Sequence, residues 1–162
     1  MNLTSPLKRM TIFNRDMQAS LALYRDILGF DVIEDKRISG PAIATMIGLE
    51  DCNMHICHLQ AANSEDGLIC LYCVQDPKPG LPTMTVPDNT TVAYGAAAVV
   101  VSSNHGREIY AKLQGNYDFV CEPMEYVKAE DSEYMKAGRY MEMIFRDPDG
   151  VLVSVIGYEP LS

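Results

Sequence analysis

The order strand, helix, strands occurs twice along this 162-residue chain, on either side of a proline-rich stretch. That internal repeat limits the fold more than any other feature. One half alone, with a single helix and a few short strands, leaves one face of its sheet uncovered. Two halves that turn those faces inward bury more surface and enclose a cavity between curved sheets.

The first half opens with a short strand at residues 10–13. Asp16 stands at an N-cap position, where its carboxylate accepts from the first free helical N–H groups. Met17, Ser20/Leu21, Tyr24 and Ile27/Leu28 then recur on one face of a 3.6-residue repeat, which predicts a helix over 17–28. Gly29 ends it as a residue able to take the left-handed conformation. Strands follow at 30–34, 42–47, 54–59 and 68–74, each bounded by turn signals such as Ser39-Gly40-Pro41 and Ser64-Glu65-Asp66-Gly67.

Residues 76–91 hold Pro77, Pro79, Pro82 and Pro87, so the chain is extended there and short of ladder donors. Leu81, Met84 and Val86 predict that it lies along the surface. This divides the chain into a first module (1–75), a linker (76–91) and a second module (92–162). The second module reads as a strand at 96–101, a helix at 106–113 capped by Ser102 or Ser103, and strands at 117–121 and 124–128. A polar loop at 129–138 follows, then a hairpin, 140–145 and 151–156, across Asp147-Pro148-Asp149-Gly150.

Composition narrows the class. Hydrophobic residues make up 48% and charged residues 22%, as in ordinary globular proteins. The longest apolar runs are too short to span a bilayer, and residues 1–9 contain no apolar signal segment, so the expected location is cytoplasmic with no membrane partner. A net charge of −9 repels phosphate backbones and argues against nucleic acid. It serves solubility, or it attracts a cationic ligand. The five cysteines, an odd number, read as reduced thiols. Cys70 and Cys73 spell C-x-x-C, but strand alternation sends them to opposite faces, where they act as small hydrophobes.

Two anchors carry a family resemblance. Asp16-Met17, Ser20-Leu21 and Tyr24-Arg25-Asp26-Ile27-Leu28-Gly29-Phe30 resemble the opening of vicinal oxygen chelate proteins, the glyoxalase/bleomycin-resistance/dioxygenase superfamily. Phe145-Arg146-Asp147-Pro148-Asp149-Gly150 resembles its closing hairpin. The likeness covers about residues 7–158. It implies an α+β fold: two βαβββ modules forming paired curved mixed sheets around a concave cavity. Enzymes of the family hold a divalent metal there with His and Glu ligands, as a Lewis acid for vicinal oxygens of the substrate. The bleomycin-resistance branch has no metal and sequesters a drug.

The positions that the resemblance assigns to metal ligands are Arg9, Cys70 or Leu71, Ala97 or Ala98, and Ser154. The repeat favours Leu71 over Cys70. A guanidinium cannot coordinate a divalent ion, methyl groups offer nothing, and one thiolate is not a site. No metal and no other cofactor is therefore expected. His55 and His58, three apart on a strand, face opposite sides. They and His105, near the start of the second helix, read as structural or surface residues.

Strand alternation proposes the cavity lining instead: Arg9, Thr11 and Phe13; Ala98, Val100 and Ser102; Leu152, Ser154 and Ile156. These walls are mostly apolar, with hydroxyls such as Thr11 and Ser154 and one cation for an oxyanion. Arg9 reads equally as an exposed strand-edge residue. Tyr134, Met135, Tyr140, Met141 and Met143 crowd the second hairpin, and of these Tyr140 and Met143 join the ligand-binding set. Core packing is the other reading of that cluster.

No nucleophile elbow, P-loop or dinucleotide fingerprint is present, and no residue is singled out as catalytic, although Glu142 and Asp118 are acid–base candidates. The reading is a metal-independent binding protein sequestering an aromatic or polyketide-like small molecule, with a homodimer as the expected assembly. The alternative is an enzyme of the superfamily, a lyase, isomerase or dioxygenase-like member with an atypical or absent metal. A third reading is a dimerisation or regulatory module.

Overall fold

The computed structural model describes residue 5 and residues 7–77, 80–85 and 90–161. Pro79, Val86 and Pro87 of the proline-rich stretch lie outside these. The chain divides into two compact units, Met1–Met84 and Thr85–Ser162. No helix among the described residues is long and apolar enough to cross a membrane.

The first unit runs β1 (Met10–Phe13), α1 (Met17–Leu21), a π-helical turn (Ala22–Ile27), β2 (Asp31–Ser39), α2 (Pro41–Met46), β3 (Asn53–Gln60) and β4 (Ile69–Asp76). Asp16 caps α1, its carboxylate accepting from the N–H groups of Gln18 at 2.8 Å and Ala19 at 3.3 Å. The helix then widens: the Leu28 N–H bonds to the Leu23 carbonyl, five residues back, at 2.9 Å. That wider turn brings the adjacent Leu23 and Tyr24 both to complete burial. Gly29 ends the segment at φ +79°.

Residues 42–47 are not the strand that their apolar content suggested. Gly40 at φ +116° starts a short helix with Pro41 in its first turn, where a missing N–H costs nothing. Ile43 and Ile47, one helical turn apart, pack with buried Ala44 against Met54 and Ile56.

The four strands are ordered β1-β4-β3-β2. β1 lies parallel to β4, with Thr11 opposite Cys70, and the other pairs are antiparallel. α1 packs on β4, and the Cys73 thiol donates to the Arg15 carbonyl at 3.5 Å. The helix therefore covers the face of Ile12, Leu71 and Cys73. Cys70 looks the other way, as the period of two requires.

The second unit repeats the plan: β5 (Ala98–Ser102), α3 (Gly106–Leu113), β6 (Phe119–Lys128), β7 (Gly138–Arg146) and β8 (Leu152–Pro160), ordered β5-β8-β7-β6. β5 and β8 are parallel. The two strands read at 117–121 and 124–128 are one edge strand, bent by register shifts around Cys121 and Pro123. Neither Ser102 nor Ser103 caps α3. His105 holds the cap position, and the Ser103 hydroxyl accepts from the His105 N–H at 3.1 Å just before it. In the closing hairpin the Asp147 carboxylate accepts from the N–H groups of Asp149 at 2.9 Å and Val151 at 2.8 Å. Gly150 sits at φ +91°, a conformation that disfavours side chains.

Phe145 is fully buried between Tyr117 and Phe119, whose ring centroids lie 5.9 and 5.7 Å away. Phe145→Ala is expected to cost about 3–5 kcal/mol, from lost transfer energy and the cavity left behind. Urea denaturation should show this as a lower midpoint with the slope preserved; an unchanged midpoint would mean the ring is not part of the core.

Candidate functional site

Each sheet keeps one face turned away from the helix that follows its first strand, and sequence alternation placed candidate residues there. In the first unit this face carries a transverse row: Glu34 opposite His58, His58 opposite Cys70, Cys70 opposite Thr11. A second row holds Lys36, Ile56, Tyr72 and Phe13. Tyr72 is the hub. Phe13 meets it edge-on at 5.7 Å, the His58 ring stacks on it at 6.3 Å, and the Arg9 guanidinium lies 5.7 Å from its centroid. Arg9, Thr11 and Phe13 thus share a face, and Arg9 is a cation over an aromatic ring.

The sequence reads His58 as a structural or surface residue and does not place it in the lining. Its Nδ1 lies 2.7 Å from a Glu34 oxygen, so this nitrogen donates and Nε2 carries the lone pair. That Nε2 is buried and has no hydrogen-bond partner. Burial lowers the His58 pKa below its usual 6.5; Glu34 pulls it back up, while Lys36 and Arg9 push it down. Beside it, burial raises the Cys70 thiol, against the opposing influence of Arg9.

In the second unit the pairings Ala98 with Leu152, Val100 with Ser154 and Ser102 with Ile156 put those six residues on one face. Glu142 and Tyr140 share it by alternation along β7. Glu142 accepts from the Ser154 hydroxyl at 2.8 Å and from the Tyr126 hydroxyl at 3.4 Å. Tyr140 lies between Tyr126, stacked at 5.4 Å, and Tyr158 at 5.2 Å. Met143 does not join them: it is fully buried on the opposite face, because an odd step along a strand reverses direction. Met141 lies there too, its Cε against Gly106 at the start of α3. Tyr134 is 88% exposed, so the Tyr/Met-rich segment is not one cluster. A separate cleft of about 480 Å³ at the start of α3 is lined by charges such as Arg107 and Glu125, which pair with each other.

At the positions where the family resemblance expects metal ligands, the structure presents Arg9, Cys70, Ala98 and Ser154. Leu71 belongs to the helix side, opposite Ile12. In the first unit a guanidinium and a lone buried thiol, and in the second a methyl group and a hydroxyl, stand where imidazole and carboxylate ligands are expected. Glu142, beside Ser154, is held by two hydroxyls.

A further cluster lies on the other face of the first sheet. His55 Nε2 is 2.8 Å from Asp35 Oδ1 and 3.6 Å from Cys57 Sγ. His55 and His58 do face opposite sides, each with its own carboxylate. Burial, then Asp35, pushes the Cys57 thiol up to about 11. These pairs join residues from different strands, so only the register reveals them.

The family model for the Glyoxalase/Bleomycin resistance protein/Dioxygenase superfamily matches residues 7–155. Among solved structures, a glyoxalase family protein from Bacillus cereus aligns with TM-score 0.68 and 16% identity, over 97% of this chain and 96% of that one. A glyoxalase/dioxygenase from Nostoc punctiforme aligns at 0.57 and 13%, over 98% of both chains. The trypanothione-dependent glyoxalase I of Leishmania major aligns at 0.56 and 13%, over 95% of this chain and 87% of that one. No curated protein matches significantly.

Because its folded-state pKa is depressed, His58 is neutral at pH 7. Protonation is resisted in the folded state, so its effect is absent above about pH 6.5 and destabilises the fold as pH falls below that value. An NMR titration should place the His58 midpoint below the ordinary histidine range. Glu34→Gln should lower it further, since Glu34 is the group that raises it. A midpoint at or above the ordinary range would contradict the assigned environment.

Proposed function

The chain belongs to the Glyoxalase/Bleomycin resistance protein/Dioxygenase superfamily, and on that premise we propose that it binds an aromatic or polyketide-like small molecule without using a metal. The observation that carries this reading is the group around Tyr72. Phe13 and His58 supply flat surface, and Arg9 supplies a fixed positive charge. A ligand with fused or conjugated rings gains from burial against these rings, and a carboxylate or phenolate on it pairs with Arg9. The buried, unpartnered Nε2 of His58 offers an acceptor to a ligand hydroxyl that displaces the side chains covering it, which removes the cost of leaving it unpaired. Arg9 and Cys70 in the first unit, and Ala98 and Ser154 in the second, support the metal-independent part, since neither pair offers the imidazoles and carboxylates that the resemblance expects.

In this mechanism Tyr72 and Phe13 hold the ring system, Arg9 orients its anionic group, and His58, fixed by Glu34, selects a hydroxyl. A second reading rests on the same Glu34–His58 pair. A neutral imidazole with its Nδ1–H held by a carboxylate and its other nitrogen bare is a general base in form. It favours an enzyme that removes a proton from its bound ligand.

Calorimetric titration with polycyclic aromatic carboxylates tests both. Binding should survive excess EDTA. Arg9→Ala should weaken the carboxylates about tenfold, or about 1.4 kcal/mol, and their neutral analogues much less. Failure of every aromatic probe to bind, or binding abolished by EDTA, would sink the proposal. Chemical conversion of a probe that stops in His58→Gln while binding persists would move the assignment to the enzyme reading.

A further inference from the structure

The geometry points to a soft-metal site at Asp35, His55 and Cys57, on the face of the first sheet opposite Tyr72. Among the described residues these are the three His, Cys, Asp or Glu side chains whose donor atoms lie within 4.8 Å of one another. They come from the middle of the β2–β3 ladder. Asp35 is the direct partner of Cys57, and His55 precedes Cys57 by two residues, so all three project to the same side. His55 and Cys57 are buried, while the Asp35 side chain is 53% exposed and leaves a way in from solvent.

The distances suit an ion in place of protons. Zinc sits about 2.0–2.1 Å from imidazole nitrogen and about 2.3 Å from thiolate sulfur, so a tetrahedral site separates the two donors by about 3.6 Å. Nε2 and Sγ are 3.6 Å apart in this structure. Nε2 and Oδ1, now 2.8 Å apart in a hydrogen bond, must open to about 3.3 Å, and half-exposed Asp35 has room to turn. Without an ion the Asp35 carboxylate accepts from both the His55 N–H and the Cys57 thiol; an ion would replace those two protons and be held by the same three atoms. Binding releases the Cys57 thiol proton to solvent and leaves the imidazole protonated at Nδ1. The charges around Cys57 are Asp35, which favours the cation, and Arg25 and Arg37, which oppose it. Arg25 is already engaged by Asp26 at 2.6 and 2.9 Å.

The donor set selects the ion. One thiolate, one imidazole and one carboxylate suit zinc or cobalt(II) and not magnesium or calcium, which demand oxygen. Three protein ligands leave a fourth position for water. The site is independent of the aromatic-ligand proposal, as it uses none of the same residues.

The test is to titrate the full chain, stripped of metal, with cobalt(II), and to read the thiolate-to-cobalt charge-transfer absorption. One equivalent should produce the band, and zinc should displace it and raise the thermal midpoint. Cys57→Ser and His55→Gln should each lose the band, and Asp35→Asn should weaken binding, while Cys70→Ser retains it. If Cys57→Ser fails to fold by circular dichroism, Asp35→Asn, at a half-exposed position, serves in its place. Absence of the band in the folded native protein, its survival in Cys57→Ser, or its loss in Cys70→Ser would each overturn the assignment.

Discussion

In each unit the first strand pairs in parallel with the last: Thr11 lies opposite Cys70, and Val100 opposite Ser154. Parallel neighbours cannot be joined by a tight turn, so the chain must leave the sheet and return, and a helix makes part of that passage. The helix covers one face. Because side chains alternate strictly, the register then assigns every residue of β1, β4, β5 and β8 to a face. A slip of one residue would exchange Cys70 for Leu71 and Ser154 for Val153, and would put apolar core residues where the polar row now stands. The chemistry described above is a consequence of that register.

The faces differ in how their polar groups are satisfied. In the second unit Glu142 is closed off by two hydroxyls, and Tyr140 donates to the Lys136 carbonyl at 2.8 Å. In the first unit Glu34 fixes one nitrogen of His58 and leaves the other bare. A buried polar atom without a partner costs about 1–3 kcal/mol, which makes it a feature that calls for an occupant. The aromatic surface and the cation lie beside that atom, and this is why the ligand reading centres on the first unit.

Much of this was legible in the sequence because it is local. Asp16, Gly29 and the Asp147–Gly150 turn announce themselves by residue type, and period-two alternation correctly grouped Arg9 with Phe13 and Val100 with Leu152 and Ser154. The misreadings have two sources, local signals that compete with one another and information from elsewhere in the chain. Residues 42–47 are apolar enough for a strand, but Pro41 and the Ile43–Ile47 spacing suit one helical turn packed on Met54 and Ile56. Met143 was grouped with Tyr140 by proximity, although the odd spacing separates them. Glu34–His58 and Asp35–His55 are cross-strand pairs that a one-residue change of register would dissolve, so spacing shows His55 and Cys57 on one face of β3 but not the carboxylates across on β2.

The proposed conjugated ligand rests on the Tyr72 face and needs no ion there. A crystal soaked with a brominated aromatic carboxylate tests this most directly, through the anomalous signal of bromine. A bromine peak is expected over Tyr72 and Phe13, with the carboxylate at Arg9. An ion held by side chains of β1 or β4 on that face, or a ligand bound only on the helix-covered face, would contradict it.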